Sequence, residues 1–500
     1  MPLATMQIAN HTHSIWVKLA FFVAASGLAF IFGLISVTAN PIFIGLAVGL
    51  VGGTFLLAIP KKTIMLVIAL GLATPALLDM IGRGSHRILW AVSMMALLLW
   101  IPALLNFFSF NPQHKKHIPL FIWLLLVFVM YALIVTVSQL HGMGELFSGF
   151  KRYFQAFGLL LALVTLANTP KDFNFWLKLL LIIALLQLPF AIFERFILVP
   201  LRGGLAAGGE TTDVVAGTMG ANLEGGSPNA IMVTFVLIVF AFVFSRWKAG
   251  LIQTSRAVLL AVILLLPLAL GETKVVVVML PLLAFVMLRK DIVREPAKYI
   301  PMFGLMLVLT AILAYFYVYI MLKSSFGEAI IGTLSYNIQD VGYGTLLLNR
   351  TTVMTFWAKF HSMQEPISFL FGHGLGSSYG SGFDAGHIAR LYPNYGINLT
   401  TVSTLLWDLG VVGLILYVSI YLAAWMQISK VWRITECAQV KADCMALQSG
   451  IALTVFFIVY SDSQVNLLVH EIIIAVMLGY AAFLYKQQQR EKQSSQKAVA

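Results

Sequence analysis

Long apolar stretches separated by short polar ones dominate the pattern of this chain. A membrane-spanning helix needs about 20 mostly apolar residues, and fourteen stretches come near that length. The predicted spans lie near residues 15–38, 41–59, 63–81, 88–108, 118–138, 150–168, 175–197, 227–245, 257–271, 274–289, 300–321, 401–427, 446–461 and 466–485. The ninth and tenth are short and share a tight turn, so a single re-entrant hairpin is an alternative there. The pattern predicts an all-α, polytopic integral membrane protein with about 14 (12–14) transmembrane helices in one domain, 1–500.

Composition supports the same class. The chain is 60% hydrophobic and only 10% charged, whereas a soluble domain carries about 25% charged residues. The formal charge of +12 does not indicate nucleic-acid binding, because basic residues in short loops are what membrane orientation requires. Cys437 and Cys444 have no companion His cluster, so they fit neither a zinc site nor a disulfide framework. No metal or other cofactor is implied.

The distribution of lysine and arginine predicts that both termini are cytoplasmic. With that orientation the inner side collects 21 basic residues and the outer side 11, which together account for all 32. Basic residues on the outer side run against the general bias and call for another explanation. They are Arg83, Arg87, Lys151, Arg152, Arg195, Arg202, Lys274, Lys323, Arg350, Lys359 and Arg390.

Two predicted outer loops are long, 198–226 and 322–400, and loops of such length are more often functional than mere connections. The second is the longest polar stretch of the chain and is predicted to carry short amphipathic helices. Within it, 345–362 is predicted as a helix with Arg350, Met354, Trp357 and His361 on one face. A Trp on that face suits the membrane–water boundary. The Gly- and Ser-rich run from Gly372 to Gly386 is predicted to be a loop.

Several basic groups on one side of a membrane suit a polyanion held at the level of the lipid headgroups. The candidates for binding a lipid-linked diphosphate are Arg152, Arg202, Lys274, Arg350 and Arg390. Arginine binds phosphate through paired, charged hydrogen bonds, and the alternative for each is a cation that only anchors its helix at the membrane surface. His373 and His387 are candidates for accepting a proton from a sugar hydroxyl.

Other polar groups have structural and functional explanations side by side. The glycines at 372, 374 and 376 form either a tight turn or a phosphate cradle. Asp408 and the His470–Glu471 pair lie inside predicted spans, where polar groups are costly. Each is either functional or part of a buried hydrogen-bond network. Glu194 and Arg195 form either a local ion pair or part of a site.

The order of these features resembles the bacterial O-antigen ligase and O-antigen polymerase family of membrane glycosyltransferases, over about residues 200–427. The matching pieces are the Gly-rich loop ending in Ser227-Pro228-Asn229, the Gly-Glu-Thr-Lys274 turn, Arg350 with Trp357, the run Phe371-Gly-His-Gly-Leu-Gly376, and Leu405-Leu-Trp-Asp-Leu-Gly-Val-Val-Gly413. The resemblance implies a multi-pass protein of the bacterial inner membrane that takes a glycan from undecaprenyl diphosphate at the periplasmic face. A saccharide hydroxyl would receive the glycan without help from a metal, and Arg350 would take part in the transfer.

Two departures from the family bear on which reaction is expected. Leu399-Thr400 stands where ligases of the family have a His-Asn pair, and Lys274 replaces the usual Arg. A polymerase of O-antigen or exopolysaccharide is therefore favoured over a ligase acting on lipid A core. The remaining alternative is a flippase that moves lipid-linked glycan without chemistry. The expected partners are the lipid-linked glycan, the saccharide acceptor, membrane lipid and a chain-length regulator or flippase, with no nucleic acid.

Overall fold

The computed structural model describes residues 52–81, 88–109, 117–204, 214–221, 228–271, 274–319, 325–339, 341–343, 345–361, 366–380 and 385–499. The chain divides into two compact units, residues 1–62 and residues 63–500. In the first unit the described part is Gly52–Lys62, so the predicted span 15–38 and much of 41–59 lie outside the described residues. All packing discussed below belongs to the second unit.

The described residues are helical, and no strand occurs within the ranges given above. The helices are α1 Gly52–Ala58, α2 Pro60–Ala73, α3 Pro75–Ile81, α4 Leu89–Leu98, α5 Trp100–Ser109, α6 Leu120–Ser138, α7 Met143–Phe154, α8 Phe157–Thr165, α9 Pro170–Phe193, α10 Asn229–Lys248, α11 Thr254–Leu270, α12 Val276–Arg294, α13 Pro296–Tyr317, α14 Phe326–Ile338, α15 Thr352–Phe360, α16 Pro366–Phe371, α17 His387–Leu391, α18 Thr401–Ile434, α19 Ala438–Tyr460 and α20 Leu468–Val499. A π-helical turn, Glu194–Leu198, continues α9 into Val199–Leu201.

Seven helical segments of the described chain are long and apolar enough to cross a membrane. They are Leu89–Phe108, Leu120–Ser138, Pro170–Leu201, Asn229–Lys248, Thr401–Ile434, Ala438–Tyr460 and Leu468–Gln493. Each coincides with one predicted span. The all-helical character of a membrane protein is therefore confirmed, while the total of fourteen spans stays a prediction.

Helix α20 lies at the centre of the bundle, with 89% of its most apolar stretch buried. It packs against α8, α18 and α19, while α18 also packs against α6 and α19 against α10. Large side chains such as Phe121, Phe154 and Phe457 are fully buried between these helices. The polar termini of the central helices thus lie around a common apolar core.

The predicted span 150–168 is two helices instead of one. Helix α7 ends at Phe154, and α8 is only nine residues long and almost entirely buried. Glu471 of α20 stabilises the break, since its Oε1 accepts a hydrogen bond from Gln155 Nε2 at 2.7 Å and its Oε2 accepts the backbone N–H of Ala156 at 3.2 Å. A buried helix end needs such partners for its free N–H groups. A hydrophobicity pattern alone does not reveal them.

Helix α18 is kinked at Gly410, whose φ of 64° lies in the left-handed region that glycine adopts without a steric penalty. The kink leaves backbone carbonyls open to other partners. His373 N–H donates to the Trp407 carbonyl at 2.9 Å, and Gly374 N–H donates to the Asp408 carbonyl at 2.8 Å. The Gly372–Gly376 turn is thereby attached to the middle of a long helix.

The helix predicted over 345–362 is shorter in the structure. It begins at Thr352, and its N-cap residue Thr351 makes no side-chain capping bond. Ahead of the helix, the side chain of Asn349 accepts the backbone N–H groups of Thr351 and Thr352, each at 2.9 Å. Arg350 therefore precedes the helix. Trp357 is 7% exposed and belongs to a buried cluster, so its ring packs inside the protein, while its level relative to the membrane–water boundary stays a prediction.

Candidate functional site

A cavity of about 440 Å³ lies among helices α3, α4, α7 and α10, the segment 343–350, and the connection between α19 and α20. Two cations, Lys151 and Arg350, line it together with two carboxylates, Asp79 and Asp462. A concave site with a few convergent charged groups is the usual form of a small-molecule site. These four side chains come from parts of the chain up to 383 positions apart (462 − 79).

Arg350 is held in place by several contacts. Its Nε donates to the Tyr460 carbonyl at 2.8 Å, and one Nη donates to Asn337 Oδ1 at 3.0 Å. The guanidinium carbon lies 4.7 Å from the ring centre of Tyr343 and 4.3 Å from that of Tyr460. Both rings also line the cavity. The positive charge is therefore fixed at the cavity wall before any ligand binds.

Lys151 provides the second positive charge. Its Nζ lies 3.9 Å from the ring centre of Trp90, a favourable arrangement of a cation on an aromatic face. Beside it, Gln155 accepts a hydrogen bond from Ser93 Oγ at 2.9 Å and donates to Glu471 at 2.7 Å. The helix break described above thus forms one wall of the cavity.

Asp462 begins the short connection between α19 and α20. Its Oδ2 accepts a hydrogen bond from Asn466 Nδ2 at 3.0 Å. Burial raises the pKa of this carboxyl to about 6, although its hydrogen bonds and the charge of Arg152 act in the opposite direction. A carboxyl with such a pKa is suited to accepting a proton near neutral pH.

Asp79, near the end of α3, also lines the cavity. Its Oδ2 accepts the backbone N–H of Ala221 at 3.0 Å. This bond attaches the described piece of the first predicted outer loop, 214–221, to the cavity. Glu194 anchors the same piece from α9, since its Oε2 accepts the N–H groups of Ala216 and Gly217 at 2.9 and 2.7 Å.

Arg152, the residue after Lys151, lies behind the cavity lining. Its guanidinium covers the ring of Tyr379, and its charge acts on the carboxyls of Asp408 and Asp462. One Nη has no hydrogen-bond partner among the described residues. Arg152 therefore reaches the site through its effect on Asp462.

The two candidate histidines belong to a second cluster, separate from the cavity. The ring centres of His373 and His387 are 6.1 Å apart. His361 Nε2 and His373 Nε2 share a hydrogen bond at 2.9 Å, and the rings of His141 and His387 stack at 3.6 Å. We call these four residues the histidine cluster.

Glu145 orients His387. One carboxylate oxygen lies 2.7 Å from His387 Nδ1, and the other accepts the His387 backbone N–H at 3.1 Å. Burial of the Glu145 carboxyl raises its pKa, but the hydrogen bonds and charge of His387 outweigh this, and the pKa is lowered. For His373, burial and then the neighbouring histidines lower the pKa to about 4. His373 is therefore neutral at pH 7 and a weak proton acceptor.

The other predicted diphosphate ligands do not line the cavity. Arg202 lies at the end of Val199–Leu201. Lys274 is exposed just before α12, and Arg390 is exposed on α17 with its Nε bonded to the Ala385 carbonyl at 2.8 Å. Of the five candidates, only Arg350 lines the cavity. Arg152 lies behind the lining. Asp384 and residues 222–227 lie outside the described residues.

The buried polar groups left open by the sequence have structural partners. Asp408 accepts hydrogen bonds from Tyr153 and from residues 376–378. His470 Nδ1 lies 2.8 Å from Ser463 Oγ, and Glu471 stabilises the helix break. The glycines at 372, 374 and 376 have φ of 71°, 94° and 84°. They form a turn whose N–H groups bind α18, so they offer no phosphate cradle.

Sequence reasoning did not single out Asp79, Glu145, His141 or Asp462. Each lies near the end of an apolar stretch, where polar residues are ordinary and give no signal. Lys151 carried a signal, since it is a basic residue on the predicted outer side. Within the described residues, no group of three or more His, Cys, Asp or Glu side chains is arranged to hold a metal ion.

Comparison with models of known protein families, and separately with curated proteins, finds no match to this chain.

Proposed function

We propose that this protein transfers a glycan from undecaprenyl diphosphate to a saccharide hydroxyl, as a polymerase of O-antigen or exopolysaccharide. The observation that supports the proposal is the cavity, which combines two fixed cations with two carboxylates and aromatic walls. A sugar diphosphate needs the cations for its phosphates and the carboxylates for its hydroxyl groups. The reaction site is thus the cavity, and both of its cations, Arg350 and Lys151, are basic residues that the sequence predicts to lie on the outer side.

In the proposed reaction, Lys151 and Arg350 bind the diphosphate. Arg350 presents a planar fork and Lys151 a compact point charge. Negative charge develops on the diphosphate as its bond to the sugar breaks, so fixed cations stabilise the transition state more than the ground state. Because tertiary contacts already hold Arg350, little reorganisation is required.

Asp462 accepts the proton in this scheme. The acceptor hydroxyl oxygen forms the new bond to the anomeric carbon, its proton passes to the Asp462 carboxylate, and the electron pair of the broken bond leaves with the diphosphate. Attack from the side opposite the leaving group inverts the anomeric carbon. Asp79 binds acceptor hydroxyl groups in the same cavity.

His373 and His387 are the second choice for the proton acceptor. They do not line the cavity, and His373 has a pKa of about 4. The histidine cluster nevertheless lies near the other end of α7 from Lys151. Glu145, which orients His387, is six residues and about 9 Å along this helix from Lys151. Replacing His387 and Asp462 separately distinguishes the two assignments.

The proposed setting is the bacterial inner membrane, with about fourteen spans, both termini in the cytoplasm and the cavity facing the periplasm. The loops 198–226 and 322–400 are then the periplasmic loops that cover it. A chain-length regulator or a flippase would act beside it on the same lipid-linked glycan. The seven helices of the described residues that are long and apolar enough to cross a membrane support the assignment to a membrane.

The test replaces Lys151 with Gln and Arg350 with Ala in the protein produced by its own cell. We expect polymer to disappear and lipid-linked repeat units to accumulate at normal protein levels. Arg390→Ala is the matched control, because Arg390 is an exposed arginine of the same predicted loop outside the cavity. Normal polymer in both cavity variants would refute the proposal.

The same strains separate the alternatives. Loss of glycan from lipid A core, with polymer still made on undecaprenyl diphosphate, would identify a ligase. A flippase would instead leave repeat units on the cytoplasmic leaflet, out of reach of a glycosidase added from outside. Either result would replace the polymerase assignment.

A further inference from the structure

A narrow apolar groove of about 140 Å³ lies between α9, α10, α11 and α20, and none of the residues that line it lines the charged cavity. Side chains such as Leu181, Phe235 and Met477 line it. On α10 its lining extends from Phe235 to Arg246, which corresponds to about 16 Å along the helix. The groove is therefore long and thin, and it follows the axes of the helices.

On α10 the groove has a polar end at Arg246, and Lys178 lines the groove from the neighbouring helix α9. Lys178 is exposed and forms no hydrogen bond or ion pair with a described residue. Arg246 bonds to Asp443 through Nε at 2.7 Å and Nη2 at 2.9 Å. Two cations against one carboxylate leave a net charge of +1.

The position of this end points to the membrane surface. Arg246 is two residues from the end of α10, and Lys178 is in the third turn of α9. Both helices, and α20 beside them, are long and apolar enough to span a membrane. An apolar groove between spanning helices is in contact with lipid chains, and basic side chains near helix ends lie at the level of the headgroups.

We propose that this groove binds one anionic membrane phospholipid, with an acyl chain between the helices and its phosphate at Lys178 and Arg246. Charge complementarity selects an anionic headgroup, and the apolar lining requires the chain. Free phosphate would satisfy only the polar end. A protein helix is about 10 Å wide and cannot enter so small a volume, whereas part of a single flexible acyl chain can lie in it.

The experiment is native mass spectrometry of the delipidated full-length protein, titrated with phosphatidylglycerol and with phosphatidylcholine of the same acyl chains. We expect one phosphatidylglycerol to bind more tightly than phosphatidylcholine, and inorganic phosphate at the same concentration not to bind. Lys178→Ala weakens phosphatidylglycerol binding about fivefold, which is the effect of one basic contact at a membrane surface. Lys430→Ala, an exposed lysine outside the groove, leaves it unchanged.

A second pair of variants tests the apolar part. Leu181→Trp fills the groove and should abolish binding of both lipids, whereas Ile182→Trp changes the adjacent exposed residue and should not. Thermal unfolding temperatures of all variants verify that each protein is folded. Equal binding of the two lipids with no effect of Lys178→Ala would overturn the anionic site, and an unaffected Leu181→Trp would overturn the groove. Glycan transfer by the charged cavity is not needed for either readout.

Discussion

Asp408 Oδ2 accepts the backbone N–H of Gly376 at 3.0 Å, although the two residues lie 32 positions apart and belong to different elements. The same carboxylate accepts hydrogen bonds from the Tyr153 hydroxyl at 2.9 Å, the Ser377 hydroxyl at 2.8 Å and the Ser378 N–H at 2.9 Å. Asp408 is only 1% exposed. A buried carboxylate with four donors acts as a structural anchor between α7, the glycine turn and α18.

Replacing Asp408 with Ala should destabilise the protein by about 3–5 kcal/mol, because it leaves four buried donors without an acceptor. The unfolding temperature in detergent and the amount of protein in the membrane would both fall. Asp462→Asn serves as the comparison, since Asp462 has fewer such bonds and should retain a folded protein. An Asp408→Ala variant as stable as the native chain would contradict the anchoring role.

Gly410→Ala should also destabilise the protein. An added Cβ would collide with the backbone of Leu370 and Phe371, and an alanine with φ of 64° costs about 1–2 kcal/mol before any collision. Gly332→Ala is the matched control, because Gly332 lies in α14 with open space around it. There the change should be neutral or stabilise by up to about 1 kcal/mol. Thermal unfolding measures both.

The rate of glycan transfer should rise with pH through about 6. Burial raises the pKa of Asp462 to about that value, so below it the carboxyl is protonated and cannot accept a proton. Asp462→Asn should lower the rate by about 10²- to 10⁴-fold and remove this pH dependence. A rate measured with purified protein and lipid-linked repeat units checks this. If His387→Ala removes the pH dependence and Asp462→Asn does not, the base is in the histidine cluster.

Glu145→Gln should lower stability at neutral pH by about 1–2 kcal/mol, since it removes a charged acceptor from His387. The native pKa of Glu145 is lowered, so its contribution is complete above the unfolded value of about 4.3 and is lost as pH falls through the folded value. The difference between native protein and variant should therefore shrink below about pH 4. A constant difference down to pH 3 would contradict the pair.

The length of an apolar stretch predicted the spanning helices well where the stretch forms a single unbroken helix. Leu120–Ser138 and Leu468–Gln493 are examples, since their length alone meets the need of a membrane. The pattern failed at 150–168, because the polar group that stabilises the break, Glu471, comes from α20. A contact over 315 positions has no local signal.

The site was predictable to a lesser degree. Charge bias singled out Arg350 and the Lys151–Arg152 pair, because a basic residue on the outer side contradicts the orientation rule. It could not rank them against Arg202, Lys274 and Arg390, since ranking depends on which helix ends meet in space. The distribution of charge gave no reason to single out Asp79 and Asp462. Their significance appears only in the folded protein, where four distant segments of the chain enclose the cavity.

The dependence of the break at Gln155 on Glu471 sets an order of assembly during synthesis. Helices α7 and α8 are synthesised long before α20, so the break between them lacks its partner Glu471 until α20 enters the bilayer. A chain truncated before residue 468 would expose the unpaired Ala156 N–H and the apolar faces meant for α20.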